Sequence, residues 1–185
     1  MDHADHVDLL RPAVEPWGTW ADIGAGTGAF TLALAELLGP GGRIIAVDRD
    51  AGALAETVTA VARRFPQVRV EALRADFTGA LTGLPPLDGL VAANSLHFVS
   101  RDRQAGAIRA LASYLRPGGT FVVVEYDADR GNPWVPHPFR FATWERLVGE
   151  AGLVDARQIG RVPSRFLGAI YSASARVPVA DRDRS

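Results

Sequence analysis

Short runs of β-branched and other apolar residues take turns along this chain with longer stretches whose apolar positions recur three or four apart. That alternation predicts strands and helices in strict succession. The runs at about 18–23, 43–47, 68–73, 88–93 and 120–125 read as strands. Helices are predicted between them at about 28–38, 51–64 and 101–115. In the first of these helices Phe30, Leu34, Leu37 and Leu38 make an apolar face, which Gly39-Pro40-Gly41-Gly42 ends. Ser100 is placed to cap the third, and Pro117-Gly118-Gly119 to turn the chain into the fifth strand. Strands two and three look buried on both faces, as parallel strands are. Right-handed crossovers then give an α/β fold, a Rossmann-like, doubly wound and mostly parallel sheet of about seven strands.

The ends of the chain are less regular. A helix is expected from His3 to about Ala13, lying over the ligand site and stopped near Pro12 and Pro16. After Tyr126 the alternation pauses in a loop, 126–140, with three prolines and several large side chains. A helix begins near Thr143 and ends at Gly152, and two last runs, 154–159 and 166–174, are placed for an antiparallel hairpin. Residues 1–178 read as one domain, followed by a frayed polar tail at 179–185.

Composition narrows the chemistry. The 185 residues, 48% hydrophobic and 22% charged, suffice for one core. Zero cysteines exclude a disulfide framework, a thiolate metal site and a cysteine nucleophile. All 20 basic residues are arginine, which excludes lysine bases and Schiff bases. A net charge of −1 argues against a broad nucleic-acid surface. Neither a secretory signal nor a membrane span is apparent, so a cytoplasmic protein is expected. Association into a homo-oligomer stays open.

The densest chemical signal is Ala21-Asp22-Ile23-Gly24-Ala25-Gly26-Thr27-Gly28-Ala29-Phe30, a strand, a glycine turn and a helix start. Glycines here allow positive φ and close approach of the chain to a ligand, while the helix offers unpaired N–H groups. The turn fits both a Gly-x-Gly-x-Gly pattern and the looser dinucleotide fingerprint. Asp48, ending the second strand, could accept from both hydroxyls of an adenosine ribose, which nicotinamide cofactors and S-adenosylmethionine share. Asp76-Phe77, ending the third, supplies an acceptor and an aromatic face for adenine, and Asn94-Ser95-Leu96-His97-Phe98 follows the fourth.

Taken in order, these pieces resemble the class I S-adenosylmethionine-dependent methyltransferases, particularly the small-molecule branch related to ubiquinone and menaquinone C-methyltransferases, over roughly residues 15–175. The resemblance implies S-adenosyl-L-methionine as cofactor and a small-molecule acceptor. It implies that Gly24, Ala25, Gly26, Thr27 and Gly28 wrap the methionine portion, with Asp22 orienting that loop. Asp48 would bind ribose, Arg49 cover the ring, Asp76 and Phe77 hold adenine, and Asn94 and Ser95 complete the site. The Asn94-Ser95-Leu96-His97 segment differs from the Asn/Asp-Pro-Pro-aromatic run typical of enzymes that methylate the amino groups of DNA, RNA or glutamine. A macromolecular acceptor, a catalytically silent binding protein and a nicotinamide-dependent oxidoreductase are the competing readings.

Methyl transfer from a sulfonium needs positioning above all, with a base only where the acceptor must lose a proton. His97, Glu125 and Tyr126 are the candidates at the strand ends for that role or for substrate contact. Trp134, His137, Phe139 and Arg140 are candidates for a substrate lid. Asp2, His3 and His6, and the pair Asp127 and Asp129, are too sparse for a metal site, and no metal is expected.

Overall fold

The computed structural model describes residues 1–179, so the expected frayed tail lies outside the described residues except for Val179. The chain runs α1 (His3–Leu10), β1 (Thr19–Ile23), α2 (Ala29–Leu38), β2 (Arg43–Asp48), α3 (Ala51–Arg64), β3 (Arg69–Arg74) and β4 (Leu87–Ala93). After a 3-10 turn at Leu96–Phe98 come α4 (Arg101–Ala112), β5 (Leu115–Tyr126), α5 (Phe141–Glu150), β6 (Val154–Ser164) and β7 (Gly168–Arg176). Among the described residues the strands form one sheet in the order β3-β2-β1-β4-β5-β7-β6. β1 to β5 pair in parallel, while β7 runs antiparallel to β5 and β6 antiparallel to β7. Strand order reverses between β1 and β4, which makes their carboxyl ends the switch point.

Alternation along the central strands sorts side chains to two cores. Leu90 and Ala92 of β4 join Ile23, Val47, Phe121 and the inner faces of α4 and α5. Val91 and Ala93 join Trp20, Val122 and the inner faces of α1 and α2. A strand covered on both sides loses its apolar–polar alternation, which is why β1, β2, β4 and most of β5 read as unbroken apolar runs.

Several expectations need correction. β3 is an edge strand paired to β2 alone, with exposed or half-buried residues along its length, so it is not buried on both faces. Arg43 of β2 binds Glu71 of β3 through two hydrogen bonds of 2.8 and 3.0 Å, a polar closure that suits an edge. β5 begins at Leu115, opposite Leu87, and Pro117-Gly118-Gly119 forms an irregularity within it rather than a turn before it. Pro117 brings no N–H to the ladder, and Gly118 takes φ +79°. Ser100 holds the amino-terminal cap of α4 without a side-chain capping bond. α1 stops at Leu10 and packs on α2 and β6, adding Val7, Leu9 and Leu10 to the core, and it contributes nothing to the lining of the cleft described below. No described helix is long and apolar enough to cross a membrane.

Candidate active site

A cleft of about 340 Å³ opens at the switch point, lined by four pieces far apart in sequence: Gly24, Asp48-Arg49, Ala75 to Thr78, and Asn94-Ser95 with Phe98-Val99. Each piece follows the carboxyl end of a parallel strand. The sequence therefore places them together through strand order rather than through local contact.

The glycine loop is built tightly. Gly24 and Ala25 donate their N–H groups to the Val47 carbonyl at 2.8 and 3.0 Å, tying the loop to β2. Gly24, Gly26 and Gly28 have φ of +76°, +52° and +89°, a region that other L residues enter at a cost. A Cβ on Gly24 would stand 2.6 Å from that of Ser95, so the β1 and β4 loops meet with no spare room. A Cβ on Gly26 would meet nothing within 4 Å, which leaves the backbone there open to a ligand. Thr57 of α3 donates its hydroxyl to the Gly26 carbonyl at 2.9 Å.

Asp22 sits beneath this loop, 1% exposed, and accepts from the Thr31 hydroxyl at 2.6 Å. Burial raises its pKa to about 6, opposed by the Thr31 bond and reinforced by the nearby Asp48. Asp48 accepts from Gly26 N–H at 2.9 Å on one carboxylate oxygen and from Asp50 N–H at 2.9 Å on the other. Each oxygen keeps a second lone pair, so the same carboxylate can brace the loop and receive hydroxyl donors.

Asp76 accepts from Thr78 N–H and hydroxyl at 2.9 and 2.7 Å, both on one oxygen, and these bonds lower its pKa. Among the described residues its other oxygen receives no hydrogen bond. Phe77 is half-buried against the core behind the cleft. Asn94 leaves β4 with φ +50°, and its Oδ1 and the Ser95 hydroxyl are buried without a hydrogen-bond partner among the described residues. Buried polar atoms without partners are costly, and a cleft that keeps two of them is fitted to a ligand with polar atoms of its own. An adenosyl amino acid, with ribose hydroxyls, an adenine amino group and a charged methionine end, fits this donor and acceptor set.

Behind the cleft wall, His97 and Glu125 are 3% and 0% exposed. His97 Nδ1 lies 3.0 Å from both Glu125 carboxylate oxygens, one of which also accepts from Tyr126 N–H at 2.7 Å. Burial raises the Glu125 pKa, and the imidazole holds it back. Tyr126 is half-buried, its phenol raised by burial and then by Glu125.

The four lid candidates separate. Phe139 is fully buried, stacked on Trp144, with its carbonyl accepting from the Tyr171 hydroxyl at 3.0 Å; it is a core anchor and not a lid. Arg140 is exposed, stands at the amino-terminal cap position of α5 without a side-chain capping bond and pairs with Asp129 at 3.0 Å. His137 donates its N–H to the His97 carbonyl at 3.0 Å and accepts from Gln104 Nε2 at 2.8 Å, pinning the loop to the 3-10 turn. Trp134 stays 77% exposed.

Residues 21–119 match the family described as a methyltransferase domain. The chain belongs to that family. The match runs from the glycine loop to the irregularity in β5 and so contains every lining residue of the cleft. Over 70 residues this methyltransferase domain is 36% identical to a probable cobalt-precorrin-6B C(15)-methyltransferase (decarboxylating) of Thermoplasma volcanium, covering 38% of this chain and 35% of that protein. Over 57 residues it is 40% identical to ribosomal RNA small subunit methyltransferase H of Verminephrobacter eiseniae, covering 31% of this chain and 17% of that protein. The chain thus spans about a third or less of these curated relatives. Its fold superposes with a TM-score of 0.70 on Burkholderia thailandensis 1,6-didemethyltoxoflavin-N1-methyltransferase, solved with 1,6-didemethyltoxoflavin and S-adenosylhomocysteine bound. That likeness covers 95% of this chain and 77% of the other at 21% identity.

Three residues of the methyltransferase domain carry weight that the motifs do not announce. Thr31 and Thr57 are helix residues whose hydroxyls reach back to Asp22 and to Gly26. Gln104 joins the 3-10 turn to the 126–140 loop. A buried polar residue interrupting an apolar helix face is the one signal each leaves in the sequence.

Proposed function

We propose that this chain transfers a methyl group from S-adenosylmethionine to a small-molecule acceptor at the switch-point cleft. The observation that carries the reading is the convergence there of Gly24, Asp48, Asp76-Phe77 and the two unpartnered side chains of Asn94 and Ser95. Family membership and the bound S-adenosylhomocysteine of the Burkholderia structure support it.

In this reading the open backbone at Gly26, with Ala25 and Thr27, receives the methionine end, and Gly24 and Gly28 keep the loop's path. Asp48 holds ribose, Arg49 covers the ring, Asp76 accepts from the adenine amino group through its free oxygen, and Phe77 packs on the base. Asn94 and Ser95 gain the partners that the protein itself withholds from them. Bound there, the sulfonium supplies a methyl group already activated for displacement. The protein's part is to hold cofactor and acceptor in line and to exclude water. A small molecule is favoured by the balanced net charge and by the small-molecule ligand in the superposed structure. The cytoplasm is the setting proposed for it.

Calorimetry with S-adenosylmethionine, S-adenosylhomocysteine and NAD tests the cofactor. The first two should bind and NAD should not, and preferential NAD binding would overturn the reading. Release of label from methyl-labelled cofactor, over a metabolite panel and a ribosomal RNA fragment, tests the acceptor; transfer to the RNA alone would reassign its class.

A further inference from the structure

We infer that a groove at the amino ends of β1, β4 and β5, at the end of the sheet opposite the cleft, binds a small zwitterion that carries a planar ring, the chemistry of a free aromatic amino acid. The groove shares no residue with the cleft, and a ligand there is independent of the methyl-transfer reading above.

The groove encloses about 370 Å³, within the range of small-molecule sites. Trp20, 4% exposed, lines it and packs so closely on β4 that a Cβ on Gly89 would stand 2.4 Å from its ring. Pro16, Trp17 and Pro117 add apolar surface. Trp17 is the odd residue among them. It takes φ +67°, an outlier for a bulky side chain, and Gly18 follows at +87°. The chain is held in this turn at both residues, because Trp17 N–H donates to the Leu38 carbonyl at 2.9 Å and Arg43 N–H to the Gly18 carbonyl at 3.0 Å. Glycine at position 17 would make the same turn without steric cost.

Folding therefore gains little from a tryptophan here. Its ring stays 68% exposed, and even a Cβ added to Gly41 would stand 3.9 Å from it. An exposed ring by itself is ordinary, and a strained turn by itself serves a bend in the chain. A large ring kept in a strained turn on the wall of a groove is the arrangement of a ligand contact, and its flat face suits another ring.

The charges on the groove set the rest of the ligand. Asp88 and Arg116 answer each other at 2.6 Å, and the second Asp88 oxygen accepts from Thr19 N–H at 2.7 Å. Glu15 and Arg176 remain, both exposed, with no ion pair to each other or to any other described residue. One carboxylate and one guanidinium kept apart on the same groove match an ammonium and a carboxylate on one ligand, the guanidinium taking the carboxylate through two parallel N–H bonds. A dianion such as a nucleotide phosphate would meet like charge at Glu15, and a neutral ring would leave both charges unused.

Proton–nitrogen NMR of the indole groups on the full chain tests this, with L-phenylalanine as the probe and Trp17→Gly assigning the Trp17 signal. The Trp17 Nε1–H resonance should shift saturably with a midpoint at or below about 1 mM. Phenethylamine, which lacks the carboxylate, 3-phenylpropionate, which lacks the ammonium, and L-leucine, which lacks the ring, should each move it far less. By calorimetry, Arg176→Gln and Glu15→Gln should each weaken L-phenylalanine about tenfold. Trp17→Gly should bind none of it and melt no more than about 2 °C below the parent chain. A larger drop in melting temperature would make Trp17 a structural residue and overturn the proposal. So would an equal response to any of the three analogues, unchanged affinity in either charge variant, or no saturation with L-phenylalanine.

Discussion

Thr57 and Gly28 compete for one small volume. A Cβ on Gly28 would lie 2.7 Å from the Thr57 hydroxyl oxygen and 2.8 Å from its methyl carbon, while that same hydroxyl holds the Gly26 carbonyl. Gly28 also takes φ +89° as the cap of α2. Gly28→Ala therefore meets both strain and a clash, and it should cost about 1–3 kcal/mol in urea denaturation, with weaker binding of S-adenosylmethionine. Thr57→Ser in the same chain should recover part of the loss, because it removes the methyl and keeps the hydroxyl.

Asp48→Ala should leave the fold intact and weaken S-adenosylmethionine by about 1–3 kcal/mol, through lost charge-assisted hydrogen bonds at the ribose and a looser Gly26. Calorimetry on a variant shown folded by circular dichroism checks it. Unchanged affinity would remove Asp48 from the site.

Asp22 makes a prediction about pH. Its folded pKa is raised from 3.8 to about 6, so the fold favours the protonated acid. Stability from this group is fully present below about pH 4, declines as pH rises through about 6, and is absent above. Asp22→Asn keeps an acceptor for Thr31 without the buried charge. It should match the parent chain near pH 4 and exceed it at pH 7.5 by on the order of 3 kcal/mol. Comparing the two chains pH by pH cancels the titration of carboxylates such as Glu71 and Asp76, whose pKa values are lowered and whose effect runs the other way. Parallel stability curves would show that Asp22 is not buried in its charged form.

The loop between β5 and α5 can be dissected by two truncations. Phe139→Ala removes a fully buried ring and should cost about 3–5 kcal/mol. Trp134→Ala, at an exposed ring, should change stability by less than about 0.5 kcal/mol. If Trp134 meets the acceptor, its loss should appear as a raised KM for that acceptor alone. Equal melting temperatures for the two variants would contradict the packing of Phe139 on Trp144.

The sequence was most readable where one residue type answers one local demand. The glycines of the β1 loop, the carboxylates ending β2 and β3 and the apolar centres of β1, β2 and β4 could each be read in place, because strand ends at a switch point collect ligand contacts by topology. Pairings across long separations could not. Nothing near His97 announces Glu125, 28 residues away, as its partner, and nothing near Phe139 tells that it belongs to the core instead of the loop surface. β3 was misread although Arg69, Glu71 and Arg74 interrupt its apolar positions, the mark of a strand whose sides stay open to solvent at the sheet edge. β5 was cut short because a Pro-Gly-Gly turn and a Pro-Gly-Gly strand irregularity leave the same letters.

The fit of Gly24 against Ser95 has an evolutionary corollary. With 2.6 Å between a hypothetical methyl and the serine Cβ, Gly24 cannot gain a side chain while residue 95 keeps its Cβ in this place. A homologue carrying alanine at the first should be found with glycine at the second or with its β4 loop re-routed, so the two sites ought to co-vary as a pair.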